Sequence, residues 1–184
     1  MKKFSIIIII LILGYSIQAQ KFFTKNGHIK FCSEAKLEII KAHNHQVNCS
    51  LNTKTGDLVF NVLMKAFIFK KALMKEHFNE KYVESDKFPN TTFIGKIDNL
   101  EELNFNIIGI YDVVVKGELT LHGLTKNVLE KGTLEVKGDH IIAQLTFTIK
   151  LEDYDIEVPN TRINNISAAI DIKVDASLEE YKKF

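Results

Sequence analysis

The stretch GELTLHGLTKNV, Gly117–Val128, decides how the chain is read. Its first half closes a long alternating segment. Tyr111, Val113, Val115, Gly117, Leu119 and Leu121 fall on one face, and Asp112, Val114, Lys116, Glu118, Thr120 and His122 on the other. Successive side chains of a strand point to opposite faces, so this is a strand with one buried side. Gly123 permits a positive φ, and HGLTK reads as a turn into the next strand. On this reading His122 sits on the outer, polar face, and its loss should be nearly silent.

The same period-two pattern runs through the rest of the chain. From Ile141 the inner set is Ile141, Ala143, Leu145, Phe147, Ile149 and Leu151; from Ile166 it is Ile166, Ala168, Ile170, Ile172 and Val174. Further strands are predicted at 27–33, 45–52, 57–69, 91–98 and 128–137, with TKTGD and VKGDH as hairpin turns. One segment breaks the pattern: in KKALMKEHFNEKYVES, Leu73, Met74, His77, Phe78 and Tyr82 recur at helical spacing. A helix near residues 71–84 is predicted, ending before Pro89, which holds Phe88 extended. About eight strands and one helix make an all-β chain, an antiparallel barrel or sandwich.

The first twenty residues are of another kind. MKKFSIIIIILILGYSIQAQ has two lysines, an apolar run too short to span a bilayer, and small residues near Ala19. This is the pattern of a secretory signal over 1–19, leaving a single domain over 20–184, periplasmic or secreted and with no stable membrane span. In an oxidising compartment Cys32 and Cys49 are allowed to pair. The alternation points Cys32 outward and Cys49 inward, which predicts free thiols. With 24 Lys+Arg against 23 Asp+Glu, nothing in the charge favours nucleic acid as a partner.

Two stretches resemble a known family. GELTLHGLTKNV is similar to the G-x-L-T-x-H-G-V-T-K-P-V hallmark of the YceI-like proteins, with Leu124 and Asn127 in place of the usual Val and Pro. LMKEHFNEKYVESDKFPNTTFIG, Leu73–Gly95, resembles the family's helix, acidic-aromatic segment and TF strand. LEDYDIEVPN is a weaker third match. The resemblance implies a lipocalin-like antiparallel barrel, exported by bacteria, that holds a polyisoprenoid or another long apolar molecule. It implies no catalytic residues; His77 and His122 match as markers of the fold.

The inner face suits such a ligand. The proposed lining is Leu58, Phe60, Val62, Phe93, Val113, Val115, Leu119, Leu121, Leu145, Phe147, Ile170 and Ile172, with no charge among them. Gly95, Gly117, Ala143 and Ala168 are interspersed, either to let the sheet taper or to leave a void. An eight-stranded barrel can be filled by side chains or can hold one small ligand. The first reading is therefore an apolar-ligand carrier, and the second a solid barrel, packed by thirteen Phe, that works through its surface. A metal-dependent enzyme is a weaker third. His43 and His45 form an H-x-H pair that could hold zinc with a third ligand, Cys49 or Glu38. The plainer reading, two polar residues in a loop before a strand, is preferred, so no metal and no cofactor are expected. Arg162, the only arginine, reads as a solvated loop residue that could also meet an anionic head group.

Overall fold

A computed structural model describes residues 21–181; the signal segment lies outside the described residues. The strands are β1 (Lys21–Glu34), β2 (Ile39–Asn52), β3 (Asp57–Leu63), β4 (Ile68–Phe69), β5 (Asn90–Ile97), β6 (Gly109–Leu121), β7 (Leu124–Val136), β8 (His140–Lys150) and β9 (Ala169–Glu180). Eight of them pair antiparallel in the order β1-β9-β8-β7-β6-β5-β3-β2, and β1 also pairs with β2. That last pairing closes the sheet into a barrel without free edges. The two-residue β4 lies outside the ring, paired with β2 through Ala42↔Phe69.

Alternation puts most of the apolar strand residues inside, although Ile94, Ile110 and Leu129 stay exposed on the outer face. On β6, Val113, Val115, Leu119 and Leu121 are buried while Asp112, Lys116 and Glu118 are exposed or half-buried. The glycines at Gly56 and Gly138 take φ +73 and +77 in the two expected hairpin turns. Cys49 is buried and Cys32 half-buried on the opposite face, and both thiols are free. Burial pushes the Cys49 thiol far above its ordinary pKa.

Three elements differ from the alternation pattern. The predicted strand 57–69 breaks after Leu63 in a turn of 3-10 helix, Met64–Ala66, anchored by Met64 N–H donating to Pro89 O at 2.9 Å. The turn switches parity, so that Met64 and Phe67 are both buried. The predicted helix is a short α1 (Ala72–His77) that widens into a π turn over Phe78–Tyr82. The last strand begins at Ala169 rather than Ile166, and Ala168 is exposed, outside the inner set. No helix among the described residues is long and apolar enough to cross a membrane.

The interior has two levels. One cluster of buried residues, including Leu51, Leu58, Val113, Leu134, Ile141 and Leu178, contributes none of these side chains to the cavity lining. The other, including Phe31, Val62, Met64, Leu119, Leu121 and Ile170, surrounds an open space. Phe60 and Phe93 pack against both and lie between them.

The facing of β6 has a direct test. Leu121 is buried, whereas Thr120 sits on the outer face with its hydroxyl 2.8 Å from that of Thr125. Leu121→Asp puts a carboxylate among apolar side chains and should cost roughly 3 kcal/mol or more. Thr120→Asp should stay within about 1 kcal/mol. Thermal melts of the two variants compare them, and equal losses would show the strand to be faced wrongly.

Candidate ligand-binding cavity

The upper level holds a cavity of about 390 Å³, within the size range of pockets for small apolar ligands. Its floor is built by a backbone device. Gly95 on β5 and Gly117 on β6 are direct cross-strand partners facing inward. A Cβ on Gly95 would lie 2.6 Å from the Phe93 ring and 2.8 Å from Gly117 Cα. The paired glycines therefore leave no void; they give the Phe93 ring a bare patch of sheet to lie on. Phe60, opposite Phe93 in the β3–β5 register, completes the floor with ring centroids 6.5 Å apart.

Above the floor the wall is aliphatic and aromatic. Phe31 is at the centre of a ring cluster with Phe67, Phe69 and Phe78, at centroid distances of 5.4, 5.7 and 5.5 Å. These rings stand around the space instead of filling it. Of the sequence-proposed lining, Phe60, Val62, Phe93, Val115, Leu119, Leu121, Leu145, Phe147, Ile170 and Ile172 border the cavity. Leu58 and Val113 do not: they are below the floor, in the lower level. Alternation fixes which face a residue points to but not its height in the barrel, so these two were not separable in the sequence. The helical stripe Leu73, Met74, His77, Phe78 and Tyr82 also borders the cavity and roofs one side.

The proposed lining is uncharged, but the interior is not free of charge. Glu130 on β7 shares the inward parity of Val128 and Leu134, and it borders the cavity. The alternation of 128–137 contained this signal, but no residue of that strand entered the proposed lining. Among the described residues the Glu130 carboxyl has no hydrogen-bond or ion-pair partner. Burial raises its pKa above the ordinary carboxyl range.

The mouth is polar. Glu38 in the β1–β2 loop lies 3.4 Å from Lys71 Nζ and accepts from Asn165 Nδ2, also at 3.4 Å. Arg162 borders the same opening. Leu37, Leu73 and Ile163 are 73%, 58% and 61% exposed beside these residues, and Leu37 N–H donates to Asn164 O at 2.9 Å.

His122 corrects the sequence reading most sharply. With Gly123 it forms the two-residue β6–β7 turn, at φ +52 and +76, a type I′ hairpin. The positive φ swings its side chain off the outer face, where it is only 11% exposed. Nδ1 contacts Tyr154 O at 2.9 Å and Nε2 contacts Glu84 Oε2 at 2.8 Å. Both partners, a backbone carbonyl and a carboxylate, are hydrogen-bond acceptors. The other non-glycine residues with positive φ among those described are Glu84, which contacts this ring, and Asp155, which follows Tyr154 in the chain. Phe88 packs edge-on against it at 4.8 Å. A Cβ on Gly123 would come within 2.5 Å of the Phe88 ring, so the turn requires glycine for space as well as for φ. The network latches the helical segment, the β6–β7 hairpin and the Leu151–Tyr154 turn around the open end.

These details coincide with the comparisons. The sequence matches the YceI-like domain over residues 15–178. The chain belongs to the YceI-like family. Its barrel is similar to a polyisoprenoid binding domain from Saccharophagus degradans implicated in plant cell wall breakdown, with TM-score 0.77 and 15% identity over 89% of this chain and 100% of that one. It is also similar to BcnA of Burkholderia cenocepacia, with TM-score 0.67 and 13% identity over 83% and 95% of the two chains. For the Campylobacter jejuni YceI protein the values are 0.58 and 14% over 77% and 85%. At these identities the likeness is one of fold. No curated protein matches the chain in sequence. In this YceI-like chain the hallmark His-Gly pair is the latch, a structural role.

Two outcomes follow. His122→Ala leaves Tyr154 O and Glu84 without their ring partner and should cost about 2 kcal/mol in urea denaturation; a loss within about 0.5 kcal/mol would make the ring an ordinary surface group. For Glu130 the sign comes from its raised pKa. Below about pH 4 the carboxyl is neutral in both states and carries no penalty. Stability then falls as pH rises through the raised folded value. Glu130→Gln should therefore gain on the wild type in melting temperature at pH 8, and the gain should shrink at pH 4. A pH-independent difference would contradict the assignment.

Proposed function

We propose that this YceI-like barrel is an exported carrier that holds one long apolar chain, a polyisoprenoid or a fatty chain, in its upper cavity. The observation that carries this reading is the cavity itself: about 390 Å³, walled by apolar side chains and open at one end. An apolar space with few polar partners stays dry and takes apolar guests. Each buried methylene contributes about 0.8 kcal/mol, so affinity grows with chain length and needs no polar contact. The name of the Saccharophagus degradans domain, a polyisoprenoid binding domain, supports the same ligand class. The alternative of a solid barrel is disfavoured, because the phenylalanines surround the space.

The polar end of such a molecule would remain at the mouth, near Arg162 and Lys71. The exposed Leu37, Leu73 and Ile163 beside it suit transfer of a chain from an apolar donor. We read the protein as a binder rather than an enzyme. His77 at the mouth has no hydrogen-bonded acid or nucleophile among the described residues, and Ser33 is engaged by Ser167 N–H at 2.9 Å. Export to the periplasm or beyond rests on the N-terminal pattern, and a mature mass beginning at Gln20 would test it.

Native mass spectrometry of gently purified protein tests the carrier reading. The wild type should show added mass, and solvent should extract a matching lipid. Val128→Trp projects a large ring into the cavity from β7 and should lose that mass while still melting cooperatively. Repeated absence of added mass and of extractable lipid from the wild type would overturn the reading.

A further inference from the structure

Away from the cavity, on the outer wall, His28 of β1 meets His43 and His45 of β2. The nearest ligand atoms of the three rings all lie within 4.8 Å of one another. His28 Nε2 is 3.0 Å from His43 Nδ1. The His28 and His45 rings stack with centroids 4.3 Å apart, and those of His28 and His43 at 5.2 Å. The sequence shows the H-x-H pair but not its third member, which lies fifteen residues before His43. The ligands considered with the pair are not the partners: Cys49 points into the barrel, Glu38 sits at the mouth, and the pair is on a strand, not in a loop.

A β-bulge makes the cluster. The β1–β2 register shifts between Gly27↔Val47 and Ile29↔Asn44, so His45 and Gln46 together oppose His28. Such a bulge re-aims side chains locally and restores the alternation on either side. The bulge is built in from below. Asn44 is fully buried; its Oδ1 accepts from Gln46 N–H at 2.8 Å and its Nδ2 donates to Leu63 O at 2.9 Å. A buried amide whose oxygen satisfies the bulge's own N–H holds the histidine face in place.

We propose that His28, His43 and His45 form a site for a divalent transition-metal ion, Zn²⁺ or Cu²⁺. Three neutral imidazoles are a donor set that suits these metals and leaves a position for water or an outside ligand. Tetrahedral ligands about 2.0 Å from zinc are separated by about 3.3 Å. One pair is already near that spacing, and the exposed His45 ring has room to swing in. Burial, followed by the neighbouring His45 and His43, lowers the pKa of His28 and favours its neutral, ligating form. Asp175 faces His28 across the β1–β9 register, placing a carboxylate beside the cluster of the kind that orients metal-bound imidazoles.

The test is isothermal titration of the untagged mature protein with ZnCl₂ and, separately, CuCl₂ at pH 7.5. One equivalent should bind. His45→Ala should weaken it at least tenfold, and His28→Ala/His45→Ala should abolish it, with the thermal melt of each metal-free variant showing a folded barrel. Bound Cu²⁺ should show nitrogen hyperfine structure in its electron paramagnetic resonance spectrum. Lack of a stoichiometric site in the wild type would overturn the proposal. So would equal binding by the double variant, which would place the ion elsewhere, on Cys32 or surface carboxylates. The lipid content of His45→Ala should match the wild type, since the cluster is on the far side of the wall from the cavity.

Discussion

The contact on which the interior depends is the Phe93 ring lying across the bare backbone of Gly95 and Gly117. An eight-stranded barrel left to itself fills with side chains. Here two inward positions on adjacent strands carry no side chain, and one aromatic ring occupies the ground they leave. With Phe60 it makes a horizontal partition that separates a lower core from a hollow upper half. The lower half supplies buried apolar packing of a kind that stabilises small domains, and that lets the other half stay under-filled.

A hollow end needs another source of order, and the latch at His122 supplies it. Three elements distant in sequence contribute Glu84, the His122–Gly123 turn and Tyr154 to one hydrogen-bonded corner. Left-handed backbone at a non-glycine residue costs roughly 1 kcal/mol or more. At Glu84 and His122 that cost is offset by the hydrogen bond between them. The helical segment that the latch holds is short and passes into a wider π turn.

The barrel was legible because the inner face of the strands is mostly apolar, with Glu130 and Asn44 as polar exceptions. The turns at Gly56, Gly123 and Gly138 were legible for local reasons, whereas strand ends were not: β1 and β2 begin at Lys21 and Ile39, six residues before the expected starts at 27 and 45. Three further features were not legible. The height of a residue in the barrel depends on strand stagger, so Leu58 and Val113 were placed in the lining although they lie beneath Phe60 and Phe93. The positive φ at His122 reverses the direction that alternation assigns to it, and a reading by parity put it outside. The shift of parity in the Met64–Ala66 turn had no local marker, since LMKAFIF is apolar enough to pass for strand throughout. Glu130 is the opposite case: its inward parity is plain in the sequence, on the same face as Val128 and Leu134.

The outer wall and the cavity are thus two independent surfaces of the same strands, with Ile29 and Phe31 of β1 and Ile40 of β2 on one and the histidines on the other. The claim on which the account rests is that the upper half of the barrel is an apolar, dry space above the Phe60–Phe93 floor. Delipidated crystals pressurised with xenon test it directly, because xenon enters empty apolar cavities and not water-filled or side-chain-filled ones. The account predicts xenon sites between the floor and the Phe31–Phe78 wall, with none in the lower level. A chain of ordered water there, or side chains closed over the space with no xenon bound, would contradict it.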